Sequence, residues 1–161
     1  MTEGGKLERA AALMTTEITP PSKRYFSGAG GLSSTVEDYL RFCQMKLNGG
    51  HFNGARLLSR KTVELMTADH LPDNVVHYPI WHTLGLRGHG FGLGYRVITD
   101  LGDAALAGSL GSYGWGGAYG TYFWIDPQEQ LIGIFMTQIR PYRHLKIRRQ
   151  FQIMATAAIV D

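Results

Sequence analysis

Residues 111–138, GSYGWGGAYGTYFWIDPQEQLIGIFMTQ, decide the fold of this chain because they combine strand periodicity with turn chemistry. The stretch predicts two consecutive strands joined by the turn residues Asp126-Pro127-Gln128-Glu129, with the second strand over 131–136. The side chains of the first strand alternate between two faces, one carrying Tyr119, Thr121, Phe123 and Ile125 and the other Tyr122 and Trp124.

The approach to the first strand is unusually rich in glycine, with four glycines at Gly114, Gly116, Gly117 and Gly120. Glycine inside a strand costs conformational entropy and packs nothing, so the cluster predicts a backbone that another group must approach closely. A bulged or sharply bent strand without any ligand explains the same glycines. Both interpretations stay open at this point.

Helical periodicity precedes the strands. Ser34-Thr35-Val36-Glu37 has the spacing of a capping box and predicts the start of a helix that Gly49-Gly50 ends. One face of this helix carries the apolar residues Val36, Leu40, Cys43 and Leu47. Ser59 is expected to cap a second helix that runs to about Ala68 and buries Val63 and Met66.

The rest of the chain completes an α+β prediction. Residues 69–90 are expected to form a long loop, 93–99 a strand and 104–107 a short strand. A last helix over 144–160 should face inward with Ile147, Phe151, Met154 and Ala158. An antiparallel sheet packed by a C-terminal helix, with a helical segment upstream, follows from this order of elements.

The pattern W-G-G-x-x-G-T-x-F-W-x-D-P at 115–127 resembles the third-motif strand of the serine β-lactamase-like superfamily. That superfamily includes class C β-lactamases, penicillin-binding proteins and family VIII carboxylesterases. Residues 28–71 resemble the helical segment that precedes this strand in the esterase-like members, and residues 90–100, GFGLGYRVITD, resemble the intervening strand. The resemblance implies a central antiparallel sheet flanked by the terminal helices, beside a largely helical region.

The resemblance also implies a site and a reaction. Trp115-Gly116-Gly117 matches the third motif, and the next residue, Ala118, would supply a backbone N–H to an oxyanion hole, a role that needs no side chain. Gly116 and Gly117 would let an acyl group lie against the strand, and Trp115 would form an apolar wall. A half-buried strand tryptophan is the alternative for Trp115. The implied activity is that of a serine hydrolase acting on carboxylic esters or, alternatively, on β-lactams.

Two motifs of this superfamily are absent from the 161 residues. These enzymes attack with the serine of Ser-x-x-Lys, but no lysine of this chain has serine three residues before it, and neither Tyr-x-Asn nor Ser-x-Asn occurs. Cys43-Gln44-Met45-Lys46 imitates the spacing inside a predicted structural helix. We therefore expect residues 1–161 to be the C-terminal portion of one catalytic domain, inactive alone and partnered by a nucleophile-bearing N-terminal half. The alternative is a non-catalytic interaction module or the second subunit of a split enzyme.

Other candidate sites carry less weight. His70, His77, His82 and His89 fall in one stretch near Asp73, but their spacing is unlike that of a structural zinc site, and no metal or other cofactor is predicted. Asp126 is interpreted as turn chemistry because a proline follows it. The basic residues near the C-terminus, interpreted as a solvated helix face rather than a nucleic-acid surface, are Arg140, Arg143, Lys146, Arg148 and Arg149.

Composition is compatible with these expectations. A chain of 161 residues with 44% hydrophobic content can build one domain-sized core, and its net charge of +3 is too small to indicate a nucleic-acid partner. The single cysteine excludes an internal disulfide. No apolar run reaches the roughly 18 residues of a membrane span. The compartment and the identity of the small-molecule substrate stay open.

Overall fold

The computed structural model describes residues 32–76 and 86–160. The chain divides into two units after Thr35, and the helices and strands of the described residues belong to the second unit. In chain order they are α1 Val36–Leu47, β1 His51–Phe52, β2 Ala55–Arg56, α2 Arg60–Thr67, α3 Asp73–Val76, β3 His89–Phe91, β4 Arg96–Ile98, α4 Leu101–Ala104, β5 Tyr113–Gly116, β6 Tyr122–Asp126, β7 Leu131–Phe135, a 3-10 turn Arg143–Leu145 and α5 Ile147–Thr156.

Strands β3 to β7 form one antiparallel sheet in which every strand pairs with its neighbour along the chain. In the central pair, Tyr113 lies opposite Ile125 and Trp115 opposite Phe123. Strands β1 and β2 form a separate short hairpin. The predicted α+β class, an antiparallel sheet with a C-terminal helix and upstream helices, is confirmed.

The stretch 111–138 contains three strands, so the prediction of two is wrong. Strand β5 ends at Gly116, and the chain reverses through residues 117–121 before β6 begins. Gly120, at φ +90°, supplies the left-handed conformation that the reversal needs. The predicted alternation therefore holds for 122–125, whereas Tyr119 and Thr121 belong to the turn.

One face of the sheet packs against α1 and holds the main core. Cys43 is fully buried there beside Phe123 and Ile125, and the ring of Tyr39 meets Phe123 edge-on with 5.0 Å between ring centres. The predicted inward face of α1 is partly wrong, because its first two residues, Val36 and Leu40, are 50% and 43% exposed. Tyr39, Cys43 and Lys46 form a second stripe at helical spacing, and this stripe meets the sheet.

The other face of the sheet packs against α5. Phe151 lies 5.4 Å from both Trp124 and Phe135, measured between ring centres. Gln152 is buried and accepts a hydrogen bond from the Tyr122 hydroxyl at 2.8 Å. Met154 is 73% exposed, so its predicted inward position is wrong. The prediction for Ala158 is wrong too, because that residue is exposed beyond the end of the helix.

Several element boundaries differ from the sequence prediction. The last helix, α5, spans Ile147–Thr156 rather than 144–160. The predicted strand over 104–107 is wrong, because Asp100 accepts the Asp103 N–H at 2.9 Å and caps the short helix α4. The loop over 69–90 includes α3 and the start of β3. Strand β4 is shorter than 93–99, because Gly92 N–H donates to Tyr95 O at 2.8 Å in a turn.

The second helix follows its prediction in its cap and in Val63, whereas Met66 is half-buried at the edge of the core. The Ser59 hydroxyl accepts the Thr62 N–H at 3.0 Å at the start of α2, and Val63 is buried. Within residues 32–76 and 86–160, no helix has the length and apolar character needed to cross a bilayer.

Candidate functional site

The four predicted site residues lie together at one hairpin. Trp115 and Gly116 end β5, and Gly117 and Ala118 begin the loop to β6. Gly117 N–H donates to Thr121 O at 2.9 Å, which closes the loop from within. The loop is also tied to the segment after β7, since Ile139 N–H donates to Tyr119 O at 2.9 Å.

Arg148 of α5 holds this loop from the side. Its Nη2 donates to Gly117 O and its Nε donates to Gly120 O at 3.2 Å. The guanidinium carbon lies 4.0 Å from the centre of the Tyr142 ring, so the cation is stacked as well as hydrogen-bonded. Burial lowers the pKa of the Arg148 guanidinium from its ordinary value, but arginine stays charged in proteins. Two charge-assisted bonds from one planar group tie Gly117 and Gly120 of the loop to α5.

Gly116 and Gly117 lack the side chains that would clash with Arg148 and Thr121. A Cβ on Gly116 would lie 2.6 Å from Arg148 Nη1, and a Cβ on Gly117 would lie 2.2 Å from Thr121 Oγ1. The groups that approach these two glycines are side chains of this chain, so the positions beside Gly116 and Gly117 that were expected to admit an acyl group are filled by Arg148 and Thr121. Sequence reasoning missed Arg148 and Thr121 as parts of the site. The glycine at position 116 indicates from the sequence that another group lies close to the backbone there. It does not indicate which residue that group belongs to.

Ala118 lies at the exposed turn of this hairpin. Its backbone N–H donates to no acceptor within the described ranges 32–76 and 86–160. The neighbouring N–H groups of Gly117 and Gly120 are both used inside the loop. Ala118 therefore offers a backbone donor on a loop whose shape is set by other bonds.

Trp115 is 41% exposed and has one packed side. Its ring meets Phe91 of β3 edge-on with 5.0 Å between ring centres. Phe91 is held in turn by Asp69, whose Oδ1 accepts the Phe91 N–H at 2.9 Å. The indole of Trp115 thus has a fixed apolar support and an open surface, which suits contact with an uncharged group.

A buried polar network lies behind the hairpin, between the sheet and α5. Arg96 Nη2 donates to the Tyr122 hydroxyl, which in turn donates to Gln152 Oε1. Burial raises the pKa of Tyr122, and burial together with the Arg96 charge lowers the pKa of His89 to about 4. These side chains line a cavity of about 10 Å³ measured for the centre of a water molecule, which is room for one water. The network lies where α5 packs on the sheet, and a cavity of this size is too small for an ester substrate.

The Ser-x-x-Lys-like spacing at Cys43 and Lys46 does not form a nucleophile. Both residues are buried in the core, and burial raises the pKa of the Cys43 thiol to about 12. Burial also lowers the pKa of Lys46, whose Nζ lies 3.4 Å from Met66 Sδ and 5.1 Å from the centre of the Tyr95 ring. A protonated thiol with no exposure cannot attack an ester.

The remaining candidates are structural where the structure describes them. Asp126 is buried and accepts the N–H groups of Ser109, Gln128 and Glu129 at 3.0, 3.1 and 3.3 Å, which confirms its role in the turn. Among the described residues, no group of three His, Cys, Asp or Glu side chains could hold a metal ion. His77 and His82 lie outside the described residues.

The basic residues near the C-terminus divide into two kinds. Arg143 and Lys146 are exposed, as predicted for a solvated face. Arg148 departs from that prediction because its guanidinium is directed onto the β5–β6 loop, and Arg149 Nη2 donates to Ala105 O at 2.8 Å.

Comparison of the whole sequence with known families assigns the chain to one of them. A sequence model of the Beta-lactamase family matches residues 3–157. The chain therefore belongs to the Beta-lactamase family, in agreement with the resemblance of its third-motif strand to the serine β-lactamase-like superfamily.

Two relatives illustrate the sequence relationship. The chain is 39% identical over 127 residues to Protein Rv1367c of Mycobacterium tuberculosis (strain ATCC 25618 / H37Rv), covering 77% of this chain and 31% of that protein. It is 31% identical over 119 residues to a putative D-alanyl-D-alanine carboxypeptidase of Escherichia coli O157:H7, covering 72% of this chain and 24% of that protein. The chain thus spans less than a third of the length of these relatives.

Two solved structures share the fold. EstCE1, described as a hydrolase with promiscuous acyltransferase activity, has a TM-score of 0.56 and 26% identity, covering 74% of this chain and 28% of that one. Unliganded simvastatin synthase (LovD) from Aspergillus terreus has a TM-score of 0.62 and 22% identity, covering 80% and 36%. At this identity, the likeness to LovD concerns the fold alone. Family and fold together are those of a serine hydrolase superfamily.

Proposed function

We propose that this chain supplies the third-motif part of a serine hydrolase that acts on carboxylic esters. In this proposal residues 1–161 are the C-terminal portion of one catalytic domain, and another segment carries the Ser-x-x-Lys nucleophile. The observation that carries the proposal is the backbone N–H of Ala118, which has no acceptor in the described part of the chain and lies on a loop closed by its own hydrogen bonds. Attack on an ester carbonyl places negative charge on its oxygen, and a fixed N–H donor stabilises that charge.

The side of the site formed by Trp115 favours an uncharged substrate. Trp115 presents an apolar ring supported by Phe91 and one neutral N–H, so it lacks the charged group with which lysine or histidine would hold a carboxylate. Arg148 could have replaced that charge, but its guanidinium is directed to the carbonyls of Gly117 and Gly120. Both features support esters over penicillins and cephalosporins, and EstCE1 is itself described as a hydrolase.

The decisive test of the oxyanion role uses the assembled enzyme, in which this chain is joined to, or co-expressed with, its Ser-x-x-Lys-bearing segment. Ala118→Pro deletes the N–H, and we expect kcat for p-nitrophenyl butyrate to fall by about 10²–10³-fold. Ala118→Gly keeps the N–H and is the matched control, which should retain most of the activity. Equal activity of the two variants would exclude Ala118 as the donor.

Substrate preference is measured in the same assembled enzyme. We expect kcat/KM for p-nitrophenyl butyrate to exceed that for nitrocefin, and Trp115→Lys should move the ratio towards nitrocefin. Efficient nitrocefin turnover by the unmodified enzyme, at or above the ester rate, would overturn the esterase assignment and leave the broader hydrolase one.

The second candidate is a non-catalytic interaction module, or the second subunit of a split β-lactamase-like protein. The absence of Ser-x-x-Lys from these 161 residues favours it. An assembled protein that binds its partner segment tightly but turns over neither substrate would select this candidate over the hydrolase.

A further inference from the structure

The carbonyl held by Arg148 and the proposed oxyanion donor belong to one peptide group. The peptide bond between Gly117 and Ala118 joins the Gly117 C=O to the Ala118 N–H, and the described residues contain a cis bond only at Arg140-Pro141. In a planar trans peptide, the C=O and the N–H point in opposite directions. A bond that fixes the direction of Gly117 O therefore fixes the direction of the Ala118 N–H as well.

The bond to Gly117 O comes from a cation. Arg148 Nη2 donates to this oxygen, and Gly120 N–H donates to the same oxygen at 3.2 Å. Hydrogen bonds polarise one another along a chain, and a charged donor strengthens this effect. Electron density drawn towards Gly117 O makes the N–H at the other end of the peptide a stronger donor.

The surroundings hold Arg148 in this position. Its guanidinium stacks on Tyr142, and its Nε is engaged by Gly120 O at 3.2 Å. Gly116 leaves the space into which the guanidinium fits, since a Cβ there would lie 2.6 Å from Nη1. Lysine has neither the planar fork nor the second donor in a fixed direction, so it could satisfy only one of the two carbonyls at a time.

We infer that Arg148 is a positioning residue of the active site, which orients and polarises the Ala118 N–H through the Gly117 carbonyl. The inference rests on the proposed function, because Ala118 matters to the reaction only if it is the oxyanion donor. It assigns to α5 a role in transition-state stabilisation without any contact between Arg148 and the substrate.

The coupling itself is measured without catalysis, by NMR of the assembled protein in which this chain carries the isotopic label. In Arg148→Met, we expect the Gly117 carbonyl ¹³C and the Ala118 amide ¹H and ¹⁵N resonances to move together, in the direction of a weaker hydrogen bond to the carbonyl. Arg148→Lys should move the same resonances part of the way. Arg149→Met is the matched control, because Arg149 binds Ala105 O on the neighbouring segment and should leave Ala118 unchanged.

A structural role alone would give a different result. If Arg148 only stabilised the fold, Arg148→Met would shift resonances across α5 and β5 without a coordinated change at Gly117 and Ala118. Unmoved Gly117 and Ala118 resonances in a folded Arg148→Met variant would also overturn the inference. Should that variant fail to fold, Arg148→Lys provides the comparison, and unshifted Gly117 and Ala118 resonances in Arg148→Lys would overturn the inference.

The catalytic consequence is measured in the assembled enzyme. Arg148→Met should lower kcat while leaving KM near its original value, by less than the roughly 10²–10³-fold loss expected when the donor is removed outright. Arg148→Lys should recover part of kcat, and Arg149→Met should have no effect. Coupled NMR shifts in a protein that hydrolyses nothing would refute the proposed function and leave the peptide coupling intact. An unchanged kcat in an active Arg148→Met enzyme would refute the positioning role.

Discussion

A single added methyl group tests the packing of the candidate site. Gly116→Ala places a Cβ 2.6 Å from Arg148 Nη1, 2.7 Å from Cζ and 2.9 Å from Nη2. Gly116 does not have a positive φ, so its backbone accepts alanine and the guanidinium is the obstacle. The variant therefore reports on the contact between β5 and α5.

The expected cost follows from what must move. The guanidinium either leaves its carbonyl acceptors, which forfeits charge-assisted bonds of about 1.5–3 kcal/mol each, or stays under strain of about 1–3 kcal/mol. Alanine also lowers the entropy of the unfolded chain, which stabilises the folded protein by about 0.4–1 kcal/mol. We expect a net loss of about 1–2 kcal/mol in the free energy of unfolding.

Urea unfolding measures this loss, with Gly108→Ala as the matched control. A Cβ on Gly108 meets its nearest neighbour, Ile98 Cδ1, at 3.6 Å, which is an ordinary contact. The two variants share the entropic gain, so their difference isolates the steric cost. In an Arg148→Met background the cost of Gly116→Ala should disappear, because the obstacle is gone.

Two results would refute this reasoning. Equal stability of Gly116→Ala and Gly108→Ala would mean that the Arg148 guanidinium can move away from the added methyl group without cost. An undiminished cost of Gly116→Ala in the Arg148→Met background would assign the cost to the strand itself rather than to its contact with α5.

Three further predictions concern the chain by itself. It should hydrolyse neither esters nor β-lactams above background, because it contains no Ser-x-x-Lys, and covalent labelling of any of its serines by a fluorophosphonate probe would contradict this. It should self-associate or melt at low temperature, since Leu40, Phe42, Ile153 and Met154 are exposed; a monomer on size-exclusion chromatography with a sharp, high melting transition would show that it is self-sufficient. Burial holds the pKa of His89 at about 4, below its ordinary value near 6.5. The contribution of the neutral His89 to the free energy of unfolding should therefore be fully present above pH 6.5. We expect it to fall by about 3 kcal/mol as the pH drops from 6.5 to 4. Urea unfolding across this range checks the effect, and the same slope in His89→Gln would assign it to other groups.

Local patterns were sufficient for much of the fold. Ser59 predicted the start of α2 because a cap acts within one helical turn, and Asp126-Pro127 predicted the β6–β7 turn because its bonds join residues two or three apart. The alternation of Tyr122, Phe123 and Trp124 predicted which side chains share a face of the sheet, since neighbouring side chains of a strand point to opposite faces.

Predictions of burial on the helices were less successful. Leu40 and Met154 are apolar at helical spacing and yet exposed, whereas Lys46 and Gln152 are buried. Amphipathic spacing identifies a helix, but more than one face of the helix can carry apolar residues at that spacing. Which face becomes buried depends on packing partners that are distant in the sequence. Gln152 is buried because the Tyr122 hydroxyl, thirty residues before it, donates to its side chain.

The sequence by itself indicated the family and the stretch proposed as the site, because the Trp115-Gly116-Gly117 motif and the following strand are contiguous along the chain. Only the tertiary structure decided what surrounds that site. From the sequence, Arg148 is predicted to be one of several cations on an exposed helix face. In the structure, the packing of α5 on the sheet brings its guanidinium to the carbonyls of Gly117 and Gly120. The physical reason is the range of the interactions: caps, turns and strand alternation act between neighbours, whereas the partner of a charged side chain is set by how distant elements pack.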